Sequence, residues 1–278
     1  MLMTKELTVR RGNAIILRNL NLHIPPGQIV ALLGRNGAGK STLLKAMSGE
    51  FHGLLQTGGA QLAGAVSLNG TSLAGLTPQA LARMRAVLPQ SVQFAFPFSA
   101  LEIVLLGCYP HNGGNDLGER MIAVEALALA GAAQLAERDV TTLSGGELAR
   151  VQLARVLAQL RPRHVADESG LPPRYLLLDE PTAALDLAHQ HQLLTTLRCL
   201  AGEWNIGVLA IMHDPNLAAR YADQIAWLAD GDLLAQGSPA TTMTPDLVQA
   251  CLGIKVEVVR QPGRPPFAMP CPSPSDVY

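Results

Sequence analysis

Nine consecutive residues, Gly34-Arg35-Asn36-Gly37-Ala38-Gly39-Lys40-Ser41-Thr42, carry the densest chemical signal in the chain. Gly34, Gly39, Lys40 and Ser41 fit the spacing G-x-x-x-x-G-K-[ST]. Glycines here admit positive φ and bring backbone N–H groups within reach of phosphate oxygens. A helix opening near Lys40 would add its positive end. The Lys40 ammonium would neutralise β- and γ-phosphate charge, and the Ser41 hydroxyl is suited to ligate Mg2+. Such a cradle indicates a nucleotide and no more, because GTPases, kinases and transport ATPases share it.

Two further constellations narrow the chemistry. Tyr175-Leu176-Leu177-Leu178-Asp179-Glu180-Pro181 reads as an apolar strand ending in two carboxylates. In an open α/β sheet the carboxyl ends of strands face the ligand. Asp179 is then suited to hold Mg2+ through water and Glu180 to polarise an attacking water. On its own such a pair is an ordinary acidic turn; downstream of a phosphate cradle the catalytic reading is the stronger. Leu143-Ser144-Gly145-Gly146-Glu147 opens a helix, with Ser144 as N-cap and two glycines exposing N–H groups at the positive end. This is a second anion-binding device, and one nucleotide has no obvious need of two.

These residues need a scaffold. Ile29–Leu33 is a short apolar strand before the glycine loop, and Ser41-Thr42-Leu43-Leu44-Lys45-Ala46-Met47 reads as the helix after it, which is the context a P-loop requires. Leu20, Leu22 and Ile24 alternate with polar neighbours, predicting one half-buried strand that ends at Pro25-Pro26-Gly27. Ala65–Leu68 is another strand candidate. From about Ser99 to Leu160 the chain is rich in Ala and Leu at helical spacing. Strand patterns return at 175–179, 206–212 and 224–229 with helices between, predicting a mostly parallel sheet interrupted by a helical insert. Residues 161–174 read as an exposed loop. The proline-rich tail, 261–278, is expected to extend over the surface without regular packing.

Composition sets the bounds. The 278 residues are 48% hydrophobic and 15% charged with a formal net charge of −1, which describes a globular chain without the basic stripe a nucleic-acid partner needs. Cys108, Cys199, Cys251 and Cys271 lack metal-ligand spacing and read as reduced thiols of a cytosolic protein. The N-terminus lacks a signal peptide's apolar core, and no apolar run approaches the ~18 residues that cross a bilayer.

GRNGAGKST, LSGGE and YLLLDEPTAALD, in that order, resemble the ATP-binding cassette (ABC) ATPase family, and the likeness runs from about Leu7 to Gly237. It implies an α/β fold: a P-loop NTPase (RecA-like) core, an antiparallel β subdomain and an inserted helical subdomain. In residues, one ABC ATPase domain is implied, with its core in 1–95 and 161–250, the helical part in about 96–160 and a C-terminal extension in 251–278. In that family the LSGG segment of one subunit closes over ATP held by the P-loop of another. The resemblance therefore implies a homodimer in which Ser144, Gly145, Gly146, Glu147 and Asp186 act across the interface. Gln90 matches the glutamine that senses Mg2+ and γ-phosphate and links to the membrane partner, and His213 matches the histidine that contacts the γ-phosphate. The implied catalytic set is Glu180, His213 and Gln90, with Mg2+ at Ser41, Gln90 and Asp179, and ATP along Gly34 to Thr42. Where the family usually sets an aromatic residue under adenine, this chain has Arg11, whose guanidinium plane can stack on a purine.

The chain has neither the paired cassettes nor the coiled-coil insertions of DNA-repair and translation ATPases, and Lys40, Asp179, Glu180 and His213 argue against a cassette without turnover. The remaining class is a transporter subunit. It implies two transmembrane permease subunits, a periplasmic binding protein reached indirectly, the cytoplasmic face of a bacterial inner membrane, and no direct contact with the transported substrate. The run QALARMRAVLPQ…FAFPFSALEIVLLG…PH resembles ATPases of bacterial haem (haemin) importers, within the siderophore and vitamin B12 group; ferric siderophore or B12 is the alternative cargo. Phe94, Phe96 and Phe98 are three of the chain's five phenylalanines. They either pack the helical insert or form a docking surface for a membrane-domain helix.

Overall fold

The computed structural model describes residues 1–51, 59–92, 94–111, 116–161 and 172–271. Among these, one antiparallel sheet is built from β1 (Leu2–Arg11), β2 (Ala14–Leu20), β3 (His23–Ile24), β5 (Ala60–Leu68) and β6 (Thr71–Ser72), in the order β2-β1-β5-β6 with β3 beside β1. A second sheet has the order β11-β10-β4-β9-β8-β7 and comprises β4 (Ile29–Leu33), β7 (Arg85–Leu88), β8 (Arg174–Asp179), β9 (Ile206–Ile211), β10 (Gln224–Ala229) and β11 (Asp232–Gly237). It is parallel except for the β10–β11 edge.

Successive side chains of a strand face opposite ways, so a strand covered on both faces reads as an unbroken apolar run. β4 does this: Val30 and Leu32 join the core shared with the antiparallel sheet, whereas Ile29, Ala31 and Leu33 join the core on the other face. α1 (Lys40–Ser48) covers the first face through Leu43, Leu44 and Met47. The second face is covered by helices including α3 (Ala100–Leu105), α4 (Asp116–Leu129), α5 (Gly145–Leu160), α6 (Leu187–Glu203) and α7 (Pro215–Tyr221). α2 (Pro78–Met84) precedes β7. After β11 come α8 (Pro239–Thr242), α9 (Pro245–Leu252) and a hairpin of β12 (Val256–Val259) and β13 (Phe267–Pro270). Among the described residues no helix is long and apolar enough to cross a membrane.

Two expectations need correction. Leu20, Leu22 and Ile24 are all buried, as their alternation predicts, but they do not share one strand: β2 ends at Leu20 and β3 has only His23 and Ile24. The break is made by Thr4, whose hydroxyl donates to the Leu20 carbonyl (2.9 Å) and accepts from the Leu22 N–H (2.9 Å), replacing ladder bonds with side-chain ones. The tail also packs regularly where it was expected not to. Pro265 and Pro266 stand before β13 and Pro270 closes it, and a two-stranded ribbon has open edges that need no N–H from proline. Residues 272–278 of that tail, and 162–171 of the expected loop, lie outside the described residues. β5 begins at Ala60, earlier than Ala65.

Gly34 is where β4 meets β10: a Cβ there would press into the Leu228 carbonyl oxygen, a backbone atom that cannot yield. Gly202, near the end of α6, faces open space at a negative φ. Gly34→Ala should cost about 1–3 kcal/mol through overpacking, and Gly202→Ala should gain about 0.4–1 kcal/mol by restricting the unfolded chain. Urea unfolding of the nucleotide-free protein reads both; equal midpoints would contradict the contrast.

Candidate active site

The register of the parallel strands sets the site. Leu32 pairs with Ile211, Ile211 with Asp179, and Leu178 with Leu88, so β4, β9, β8 and β7 end almost level. One or two residues beyond those ends stand Gly34, His213, Glu180 and Gln90. Four segments far apart in sequence thus deliver their chemistry to one sheet edge, the edge where open α/β sheets bind ligands.

The glycine loop closes over its own lysine. Gly39, at φ 101°, holds the turn before α1, and a Cβ on it would lie 2.6 Å from Leu17 Cδ2. Lys40 Nζ donates to the carbonyls of Gly34 (2.7 Å) and Arg35 (3.0 Å). Burial pushes the Lys40 pKa down, against the opposing pull of Glu180 and Asp179. Asp179 is pushed up by burial first and then by the Glu180 charge, while the Ser41 hydrogen bond, Lys40 and Lys45 act the other way. Ser41 Oγ lies 3.5 Å from Asp179 Oδ1. Two hard oxygens, one a hydroxyl and one a carboxylate, suit Mg2+, which binds through one or two protein oxygens and fills its remaining positions with water and phosphate.

Glu180 joins the other two groups. Its Oε2 accepts from Gln90 Nε2 (2.8 Å), and its Oε1 lies 2.7 Å from His213 Nε2. Its backbone sits at φ 53°, a left-handed conformation that costs a non-glycine residue roughly 1–3 kcal/mol. Strain at this position re-aims the carboxylate at the strand end. A cleft of about 390 Å3 is lined by Asn36, Gly37, Gly39 to Thr42, Gln90, Glu180, His213 and Ile16.

Ser144, Gly145, Gly146, Glu147 and Asp186 do not line this cleft. Ser144 caps α5 in a reciprocal box: its Oγ accepts from Glu147 N, and Glu147 Oε2 accepts from Ser144 N (2.9 Å). Those bonds hold the Glu147 carboxyl below its ordinary range. Gly146 lies close to the Ala184 carbonyl, so this turn rests against the chain just before Asp186. Asp186 caps α6, accepting from His189 N (2.9 Å), which pulls its pKa down. All of these stay on the surface.

Arg11 is exposed at the rim of a recess of about 230 Å3 that also touches Val9, Ile16, Thr42, Lys45 and Phe51. Ile16 and Thr42 line both spaces, making the recess a continuation of the cleft. Ile16 and Phe51 were missed in sequence. Only position could have found Phe51: it follows Gly49, the left-handed residue that ends α1.

The sequence model of the ABC transporter family matches residues 17–183. The chain is 58% identical over 274 residues to the hemin import ATP-binding protein HmuV of Burkholderia lata, covering 97% of this chain and 100% of that one. It is 45% identical over 264 residues to the protein of the same name from Bordetella pertussis, covering 95% and 96%. Among solved structures, a metal-chelate type ABC transporter in an inward-facing conformation superposes with a TM-score of 0.74 at 26% identity, covering 100% of this chain and 99% of that one. The dimeric ABC transporter cassette MJ0796 superposes with a TM-score of 0.71 at 27% identity, covering 86% and 98%.

The Asp179 shift has a consequence for stability. Its folded-state pKa lies above its unfolded value, so the ionised carboxylate opposes folding at neutral pH, and that penalty fades as pH falls toward the ordinary 3.8. Asp179→Asn should therefore raise the thermal midpoint of the nucleotide-free chain at pH 7, with the difference shrinking in acid. The same variant should lose the extra stabilisation given by ATP with Mg2+, and its turnover should fall on the order of 10²–10³-fold. Thermal unfolding with and without Mg-ATP checks this; a less stable nucleotide-free variant would contradict the sign.

Proposed function

The chain belongs to the ABC transporter family, and we propose that it is the ATP-hydrolysing subunit of an importer, energising haem uptake across the bacterial inner membrane. ATP binding and hydrolysis follow from the family; haem follows from its relatives' names. One observation carries the chemistry: Lys40, Ser41, Gln90, Glu180 and His213 line a single cleft at four level strand ends, with Asp179 3.5 Å behind Ser41.

Gly34 to Thr42 would hold the phosphates, with Lys40 moving from its own loop carbonyls to the β- and γ-oxygens. Ser41 and Asp179, with Gln90 alongside, would hold Mg2+, which would supply positive charge against the charge developing on the phosphate. Glu180 orients the attacking water. A carboxylate offers about four acceptor positions, so its bonds to Gln90 and His213 leave room for that water. His213 faces the γ-phosphate end. The base would enter the recess between Arg11, Ile16 and Phe51, the guanidinium plane and the ring edge flanking a flat purine.

Ser144, Gly145 and Asp186 are exposed, Gly146 and Glu147 are half-buried, and all five lie outside the cleft, which supports their acting on ATP held by a second copy in a homodimer. The two cradles then serve one nucleotide from opposite sides. The segment 96–160 is the helical subdomain that would follow the permease. Two transmembrane permease subunits, with a periplasmic binding protein beyond them, would place this chain at the cytoplasmic face as a peripheral subunit that never touches the cargo. Siderophore or B12 uptake is the alternative within the same group, and the metal-chelate neighbour fits that wider class.

The aromatic run divides in two. Phe94 is half-buried against the core, whereas Phe96 is 68% exposed and Phe98 also faces solvent. Exposed aromatic surface on a soluble chain is the mark of a partner. Phe96→Glu should abolish co-purification with the permease while leaving ATP affinity and circular dichroism unchanged. Retention of the complex by Phe96→Glu and Phe98→Glu alike would remove the docking assignment.

Cargo is tested by growth. A deletion strain should fail on haem as sole iron source and be restored by the wild-type gene but not by Glu180→Gln. Normal growth on haem with loss of growth on a ferric siderophore would move the assignment to the alternative.

A further inference from the structure

A second cavity, of about 620 Å3, lies between the glycine loop and the C-terminal hairpin. Arg35, Asn36 and His213 line one side, and Val248, Val256 and Ala268 the other. His213 therefore borders open space on this flank, and its imidazole is placed by the Glu180 contact (2.7 Å) together with the backbone that carries it.

That backbone is held at both ends. Before His213, Met212 N donates to the Leu32 carbonyl (3.2 Å) and continues the sheet. After it, Asp214 caps α7, its Oδ1 accepting from Asn216 N (2.7 Å) and Leu217 N (3.3 Å). Asn216 then reaches the hairpin: its Oδ1 accepts from Ala268 N (2.7 Å) and its Nδ2 donates to Ala268 O (3.1 Å). Two bonds from one planar amide to the N–H and C=O of one residue fix orientation as well as distance.

The hairpin is anchored without Asn216. Arg260 Nη1 and Nη2 donate to the carbonyls of Ala240 (2.6 Å) and Met243 (2.8 Å), at the end of α8. Val256 and Ala268 are buried in the main core. The same C-terminal segment also touches the phosphate loop, where the Arg35 guanidinium lies against Gly253, the left-handed residue that closes α9. A cation there faces the negative end of the helix.

We propose that Asn216 is a positioning residue for His213, with the C-terminal hairpin as its fixed point. This rests on the reading of His213 as the γ-phosphate contact. The hairpin is thereby part of the ATPase machinery, and Asn216 and His213 border the same cavity.

The test uses the full chain and ATP with Mg2+. Asn216→Ala should lower kcat on the order of 10- to 100-fold, the cost of a small misplacement of a reacting group. ATP affinity should stay within about threefold, since ground-state binding is not what Asn216 supports. The urea midpoint should stay close to wild type, because Arg260 and the buried hairpin residues remain. His213→Ala combined with Asn216→Ala should turn over no more slowly than His213→Ala alone, as expected of groups acting through one another. Wild-type turnover in Asn216→Ala, losses that multiply in the double variant, or a kcat loss matched by an equal collapse of the urea midpoint would each overturn the proposal. Wild-type turnover in His213→Ala would instead remove the reading beneath it, and the proposal with it.

Discussion

Everything at the site depends on backbone hydrogen bonds that keep β4, β9, β8 and β7 in register. A slip of one residue would turn every side chain to the opposite face. Val30 and Leu32 would exchange cores with Ile29, Ala31 and Leu33, so both buried faces oppose the slip. The apolar packing that stabilises the fold is thus what brings Glu180 to Gln90 and His213.

β7 is the weak point in that scheme, since it forms the sheet edge with open carbonyls. α5 closes it. Arg155 Nη2 donates to the Val87 carbonyl (3.3 Å), and Gln159 Nε2 donates to those of Ala82 (2.7 Å) and Arg85 (3.1 Å). Gly107 lets the chain run tight against the Arg155 carbonyl, where a Cβ would collide. The helix that opens at Ser144 therefore ends on the strand that leads to Gln90.

Much of this was legible in sequence because it depends on local chemistry. The glycine loop, the apolar run ending at Asp179 and the helix opening at Ser144 each need particular residue types at particular spacings, and Lys40, Asp179, Glu180 and Ser144 sit where those spacings put them. The alternation of Leu20, Leu22 and Ile24 correctly reported a buried face, yet it could not report Thr4, a distant side chain that takes over the ladder bonds. Proline content misread the tail for a related reason: Pro265, Pro266 and Pro270 prevent a central strand but not an open ribbon, and β13 pairs with β12 and bonds to Asn216, far back in the chain. Phe51 and Ile16 stayed hidden because being beside Arg11 is a property of the fold and leaves no periodicity to read.

The nucleotide-free site carries its charges at a cost. Burial disfavours the Lys40 ammonium and the Asp179 carboxylate alike, Glu180 repels Asp179, and Glu180 itself holds a left-handed backbone. Lys40 compensates by bonding to its own loop carbonyls, partners that a phosphate can displace. A bound anion beside Lys40 and a cation beside Asp179 would relieve both desolvation penalties together, so binding energy is drawn from strain already stored in the fold. Glu180 Oε1 and His213 Nε2, 2.7 Å apart, are meanwhile held at the strand ends by the sheet, so the charges of Lys40 and Asp179 beside them are the part of the site that a ligand would satisfy.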